Sequence, residues 1–494
     1  MEKITLSELE QYLWDAANIL RGPVDASDFK AYIFPLLFFK RISDIYDEEY
    51  KQALDESDGD EEYASFPELH DYIIPEGAHW DDVKEKTTNV GQALQHAFRE
   101  IEKENQDKLY EIFGDVNWSN KDRLSDELLI DLIDHFSSKN LSKKYVEPDM
   151  LGQAYEYLIK KFADLTNRKA GEFYTPRTVV HLMGSILKPQ EKESIYDPAC
   201  GSGGMLLEAY HYVKNKGGDE RTLKLYGQEK NLTTSSIARI NLFLHGVQDF
   251  EIIRGDTLRN PSFHEGDMLS QFDAVIANPP FSLKNWGHEH WSHDPFGRNI
   301  AGTPPKSNGD YAWVQHMISS MAPMTGRMAI VLPHGALFRG GAEGKIRKKL
   351  IENDLLEAVI GLGPNLFYGT GISACILVFR IQKDEANKNK VLFIDASEQY
   401  QKGRNQNFFL EEHAEQVLEW YEKFEDIEDI SKVVDIDEIK DNEFNLNISR
   451  YVRKQLVVEE IDLKETFKEL NDAYDEFLES EEKMKALLKE VGVL

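Results

Sequence analysis

Apolar positions in the first 160 residues follow helical spacing. Leu13, Trp14, Ala17, Ile19 and Leu20 read as a helix that Gly22-Pro23 breaks, and residues 32–39 form a second apolar stretch running into Lys40-Arg41-Ile42-Ser43-Asp44. Residues 91–104 and 124–137 are further helical candidates, with an acidic, loop-like stretch at 55–62. From about residue 165 the pattern changes. Short apolar runs at 194–196, 224–228, 251–254, 272–277, 328–332, 356–362, 374–379 and 391–394 alternate with helical stretches. That alternation predicts an α/β fold, a doubly wound sheet with helices on both faces and ligands at the carboxyl ends of its strands. After Phe409 the chain reads as helical and acidic. Leu463, Phe467, Leu470, Tyr474 and Phe477 recur at heptad spacing, and the register resumes at Met484 and Leu488 after a misfit at Glu481. Such a seam either folds back on its own domain or docks a second subunit. The expected organisation is a helical N-terminal domain (1–165), a doubly wound core (166–410) and an acidic helical C-terminal tail (411–494).

Composition sharpens this outline. A chain of 494 residues with 41% apolar content supplies two or three domains. The N-terminus lacks a basic start followed by an apolar core, and the apolar run at 31–39 contains Pro35 and is too short to span a bilayer, so a cytoplasmic protein with no membrane contact is expected. Cys200 and Cys375 are the two cysteines, which gives neither a disulfide framework nor zinc-ligand spacing. Both are expected reduced, with no metal. The net charge of −31 argues against a nucleic-acid binder until it is divided: residues 1–160 carry −19, 161–410 carry +3 and 411–494 carry −15. A core at +3 holds a duplex poorly by itself, which implies a basic partner.

Four motifs fall where strands should end. Asn278-Pro279-Pro280-Phe281 follows the run at 272–277. Two prolines fix φ at successive residues, so the side-chain carbonyl of Asn278 and the backbone carbonyl of Pro279 become stiffly placed acceptors for an NH₂ group. Phe281 offers a face for a flat base. This reads as a site that methylates an amino nitrogen without a covalent nucleophile. Asp197-Pro198-Ala199-Cys200-Gly201-Ser202-Gly203-Gly204-Met205 follows a strand and opens a helix, where glycines admit a close ligand and the helix N-terminus favours a carboxylate. It is not the dinucleotide fingerprint, and a plain tight turn would also explain the glycines. Glu229, in Gly227-Gln228-Glu229, can accept from both hydroxyls of a ribose or simply be solvated. Asp256, in Gly255-Asp256-Thr257, can hold an adenine amino group or cap a helix. Upstream, Gly171-Glu172-Phe173-Tyr174-Thr175-Pro176-Arg177 can wrap an amino-acid carboxylate or start a helix, and both can hold at once.

In this order the motifs resemble the amino-group DNA methyltransferases, and most of the chain is similar to the modification subunit of type I restriction–modification systems. Leu13-Trp14, Leu20-Arg21-Gly22 and Lys40-Arg41-Ile42-Ser43-Asp44 resemble that family's helical domain, and Asn445-Leu446-Asn447-Ile448-Ser449-Arg450-Tyr451 resembles its segment after the core. The resemblance implies S-adenosyl-L-methionine as cofactor. It implies that Glu172, Phe173, Tyr174, Thr175, Pro176, Arg177, Asp197, Gly201, Ser202, Gly203 and Gly204 form its site, with contact to the methionine part from Glu172 to Arg177 and from Ser202 to Gly204. Glu229 would hold the ribose, Asp256 the adenine ring, and Asn278, Pro279, Pro280 and Phe281 the target adenine N6. It also implies duplex DNA, a specificity subunit, a restriction subunit and a second copy of the modification subunit as partners.

Residues 283–310 show no regular pattern and look like a mobile loop over the target base, and their histidines 288, 290 and 293 suggest a surface loop rather than a metal site. Lys345, Arg347, Lys348 and Lys349 form the densest basic run of the core, a phosphate contact or a charged helix face. A P-loop of the form G-x-x-x-x-G-K-[ST] is absent from the sequence, so this chain is not expected to be a nucleotide-driven motor. Three rivals remain in view: a stand-alone DNA enzyme, a methyltransferase of RNA or protein glutamine, and an inactive cofactor-binding scaffold.

Overall fold

The structure, a computed structural model, describes residues 3–166, 175–367, 370–404, 406–452, 463–490 and 492. Helix α1 (Leu6–Ile19) starts in a capping box: Thr5 Oγ1 accepts the Glu8 N–H at 3.3 Å, and Glu8 Oε2 accepts the Thr5 N–H at 2.8 Å. Helix α2 (Phe29–Glu56) runs through Pro35. An internal proline costs a helix about 3 kcal/mol. Here every residue from 32 to 45 is buried, so packing on all sides offsets that loss. The charged residues of this stretch are spoken for: Arg41 donates to the carbonyls of Leu141 and Val146, Asp44 accepts the Leu141 N–H at 2.7 Å, and Lys40 pairs with Asp44. They clamp the chain at 141–146. Helices α3 (Val90–Glu104), α4 (Asp126–Ser137) and α5 (Pro148–Thr166) are the longer of the remaining helices in this region.

Nine strands follow in one mixed sheet: β1 (Ser194–Asp197), β2 (Lys224–Glu229), β3 (Phe250–Arg254), β4 (Ala274–Ala277), β5 (Arg327–Pro333), β6 (Leu356–Leu362), β7 (Ala374–Arg380), β8 (Lys390–Ala396) and β9 (Ser431–Asp435). Their order is β3-β2-β1-β4-β5-β7-β6-β8-β9. Strand β7 runs antiparallel to β5 and β6, and β9 antiparallel to β8; the other pairs are parallel. The eight strands expected from the sequence all lie within this sheet. The ninth was expected to be helical. It is an edge strand paired on one side, and its Ser-Lys-Val-Val-Asp composition has too few apolar residues to announce a strand.

Helices α6 (Arg177–Leu187), α7 (Gly204–Asn215) and α8 (Leu232–Leu244) belong to this sheet domain, but α8 also buries Ile237, Ile240 and Leu244 in the core of the N-terminal helices. Tyr155 on α5 donates to the carbonyl of Ile237 at 2.9 Å. The helical region and the sheet therefore share one compact unit, Met1–Val452, and Arg453–Leu494 form a second. Residues 411–452, expected within the tail, supply helix α11 (Glu411–Lys423) and β9 to the first unit. Helices α9 (Asp310–Ser319) and α10 (Gly341–Glu352) complete it. The second unit is helix α12 (Leu463–Glu490), on which Phe467, Leu470, Tyr474 and Phe477 are all exposed.

The 283–310 segment is no loose flap. Trp286, Trp291 and Arg298 are buried, and Arg298 pairs with Asp294 at 2.6 Å, donates to the carbonyls of Thr257 and Leu258, and lies 4.8 Å from the Trp291 ring. Tryptophans and an internal ion pair do for this irregular backbone what periodicity does for a helix. The basic run on α10 also divides: Arg347 is buried and donates to the carbonyls of Phe444, Ala336 and Arg339, while Lys348 pairs with Glu352 at 3.8 Å. Both cysteines are buried and free. Among the described residues no helix is long and apolar enough to cross a membrane.

Candidate active site

Strand order decides where the site lies. From β1 the chain moves to β2 and β3 on one side and returns to β4 on the other, so the sheet reverses between β1 and β4. A crevice opens outside the carboxyl ends of strands at such a point. Here it is a cleft of about 400 Å³, lined among others by Thr175, Arg177, Asp197, Gly201, Ser202, Gly204 and Asn278. Residues separated by about a hundred positions thus face one space.

The glycine turn is built for a close ligand. Gly201 and Gly203 have φ of +54° and +80°, and a Cβ placed on Gly201 or Gly204 would meet nothing within 4 Å because it would project into open space. Gly203 is the N-cap of α7, so the first N–H groups of that helix serve the cleft. Asp197, fully buried at the end of β1, accepts the Ala199 N–H at 3.0 Å. Burial pushes its carboxyl up to about 8, and the nearby Glu229 adds to the rise. Glu229 at the end of β2 accepts the N–H of Gly201 at 3.1 Å and of Asn231 at 2.8 Å, which ties the second strand end to the glycine turn. Burial raises its pKa as well.

Asn278 stands at the end of β4. Its Nδ2 donates to Thr175 Oγ1 at 2.9 Å, and its Oδ1 is buried and has no hydrogen-bond partner among the described residues. An orphaned buried amide oxygen costs about 1–3 kcal/mol, so its persistence points to a ligand that donates to it. Beyond it Pro279 is buried, and Pro280 and Phe281 are half-buried, with the Phe281 ring 6.1 Å from that of Phe367. Asp310 closes the corner: its carboxylate accepts the Ser282 N–H at 2.7 Å and pairs with Arg339.

Not every expected site residue joins this group. Glu172, Phe173 and Tyr174 lie outside the described residues. Pro176 is the N-cap of α6, so the segment does start a helix, while the Thr175 hydroxyl goes to Asn278 instead of capping it. Arg177 pairs with Glu156 of α5. Asp256 pairs with Lys230 at 2.9 Å and accepts the Arg259 N–H at 3.3 Å, which is the turn-capping role, and it does not line the cleft. Two residues escaped notice in the sequence. Asn241, an amide within the apolar run of α8, lines the cleft, donates to the Ser202 carbonyl at 3.0 Å and keeps a buried Oδ1 without a hydrogen-bond partner among the described residues. Asp310 looked like an ordinary acidic residue in the first turn of a helix.

The family model for N-6 DNA methylases matches residues 146–460, and that for the HsdM N-terminal domain matches residues 9–136. The chain belongs to the N-6 DNA methylase family, as the DNA methyltransferase subunit of a type I restriction–modification system. It is similar to the type I restriction enzyme MjaVII methylase subunit of Methanocaldococcus jannaschii, at 36% identity over 99% of this chain and 84% of that protein. The MpnII methylase subunit of Mycoplasma pneumoniae is 28% identical over 98% of this chain and 95% of its own length. The crystal structure of a type I methyltransferase subunit from Streptococcus thermophilus superposes with a TM-score of 0.78 at 32% identity, covering 91% of this chain and all of that one. This methylase subunit thus shares its helical region and its sheet with those relatives.

Proposed function

We propose that this methylase subunit transfers a methyl group from S-adenosyl-L-methionine to N6 of an adenine everted from duplex DNA, in the cytosol. The observation that carries the reading is the unpaired Asn278 Oδ1, held at a diproline corner beside the glycine turn.

Thr175, Arg177, Asp197, Ser202, Gly203 and Gly204 would hold the cofactor, with the N–H groups at the start of α7 turned to its carboxylate and Glu229 to its ribose. When bound, the cofactor supplies an electrophilic methyl carbon. Asn278 Oδ1 and the Pro279 carbonyl accept the two amino hydrogens, which draws the nitrogen lone pair out of the ring plane. Phe281 stacks the base, and Pro280 with Asp310 keeps the corner from relaxing. Glu172, Phe173 and Tyr174 complete the proposed binding set. As the carbon–nitrogen bond forms, the sulfonium carbon–sulfur bond would break with its electron pair going to sulfur, and the methylated nitrogen would shed one proton to water; with no dedicated acid–base pair, alignment carries most of the acceleration.

Base-specific contacts come from a separate specificity subunit, since a core charge of +3 between acidic flanks gives weak duplex affinity. Two modification subunits with one specificity subunit form the methylating complex, and a restriction subunit adds cleavage. The test is to purify the chain with its native specificity partner, incubate it with DNA and cofactor, and map modified bases. N6-methyladenine at one recurring sequence, lost in Asn278→Ala, is expected. Methylation of another base, or an Asn278→Ala protein as active as the parent, rejects the reading.

A further inference from the structure

A second constellation lies where α5 meets α7 and α8. Asp149 near the start of α5, His211 on α7 and His245 at the end of α8 place a carboxylate oxygen and two imidazole nitrogens within 4.8 Å of one another. Asp149 Oδ1 and His211 Nε2 are 3.8 Å apart, and the two imidazole rings stand 5.3 Å apart at 64°. His245 is 5% exposed, and among the described residues neither of its ring nitrogens has a hydrogen bond, its Nε2 lying 4.0 Å from Glu156 Oε1; His211 Nε2 is buried and likewise without a hydrogen bond. Two imidazoles with three unsatisfied nitrogens beside the carboxylates of Asp149 and Glu156 are not explained by packing alone.

The backbone makes room for this arrangement. A Cβ on Gly152 would fall 2.5 Å from the His245 ring, so glycine near the start of α5 is what lets that imidazole lie against the helix.

We infer that Asp149, His211 and His245 form a binding site for a first-row divalent cation of the zinc class, joining the N-terminal helical region to the methyltransferase sheet. Two nitrogens and one carboxylate oxygen suit Zn²⁺, with water in the fourth position. On a tetrahedral ion with bonds of about 2.0–2.1 Å the ligand atoms sit about 3.4 Å apart. The three side chains need to draw in by about an ångström, within the reach of Asp149 and His211, which are both on the cleft wall. The site opens on the same cleft as the glycine turn and Asn278, and it ties α5 of the helical region to α7 and α8 of the sheet domain.

The test uses the full-length, tag-free chain, stripped with chelator, given zinc sulfate and desalted. One equivalent of zinc retained per chain is expected, with a rise in the unfolding midpoint. Asp149→Asn and His211→Gln should each weaken retention about tenfold or more, while Cys200→Ser/Cys375→Ser should keep it. Circular dichroism verifies that the variants are folded. Should they fail to fold, the cobalt-substituted parent decides: a four-coordinate visible spectrum without thiolate charge transfer supports the site, and a sulfur-containing shell overturns it. Failure of the parent to retain zinc, or retention unchanged in the folded Asp149→Asn/His211→Gln protein, overturns it as well.

Discussion

Asn278 Nδ2 donates to Thr175 Oγ1 at 2.9 Å across 103 residues of chain, so the diproline corner after β4 is braced by the segment that leads into α6. Under the proposed function, one hydroxyl then couples the base-holding corner to the cofactor side. Thr175→Val leaves the Asn278 amide free to rotate, and loss of one hydrogen bond worth about 1–1.5 kcal/mol should slow methylation about tenfold. Thr175→Ser should recover most of the rate. Single-turnover kinetics with saturating DNA and cofactor measures this, and equal rates for the Val variant and the parent would contradict the brace.

Asn278→Ala removes the acceptor itself. The chemical step should fall by about 10²–10³-fold, while cofactor still binds in titration calorimetry because the glycine turn and Asp197 are untouched. Loss of cofactor binding in this variant would move Asn278 from the reacting group to the cofactor site.

Asp310 is fully buried and holds both the Ser282 N–H and Arg339. Asp310→Ala leaves a backbone donor and part of a guanidinium unpaired, although Glu343 still pairs with Arg339. Breaking such a buried pair should lower stability by about 3 kcal/mol or more. Urea unfolding checks it. A loss under about 0.5 kcal/mol, the ordinary surface range, would show that the corner does not depend on this anchor.

Asp197 should make cofactor binding release a proton. With its carboxyl pushed up to about 8, the free protein holds this proton at pH 7. A sulfonium and an ammonium group placed beside it favour the carboxylate, so calorimetry in buffers of different ionisation enthalpy should show close to one proton released at pH 7 and fewer at pH 9. S-adenosylhomocysteine, which lacks the sulfonium charge, should release fewer. The same group bears on stability. The native state keeps a proton that the unfolded chain, near 3.8, has given up, so its contribution diminishes as pH climbs from about 4 to about 8. In Asp197→Asn both the proton release and that slope should shrink.

The sequence by itself determined most of the elements. Eight of the sheet's nine strands, helices α1 to α4 and the heptad register of α12 are local in origin, because a period of 2 or 3.6 and a proline or glycine stop need no distant partner; α5 was not read. Asn278-Pro279-Pro280-Phe281 was legible for the same reason: two fixed φ angles are written in the residues themselves. Strand β9 was not, since an edge strand draws its stability from the neighbour it pairs with rather than from its own side chains. The segment at 283–310 looked patternless because its order comes from Trp286, Trp291 and the Arg298–Asp294 pair meeting in space.

Only the tertiary structure decided which polar groups meet. It gave the Thr175 hydroxyl to Asn278, turned Asp256 to Lys230, and set Asp310 under Ser282. It also brought Asp149, His211 and His245 together from three helices. Such partners are fixed by strand order and helix packing, which arise from the burial of apolar faces over the whole chain. A single residue type carries no record of what that burial will place beside it.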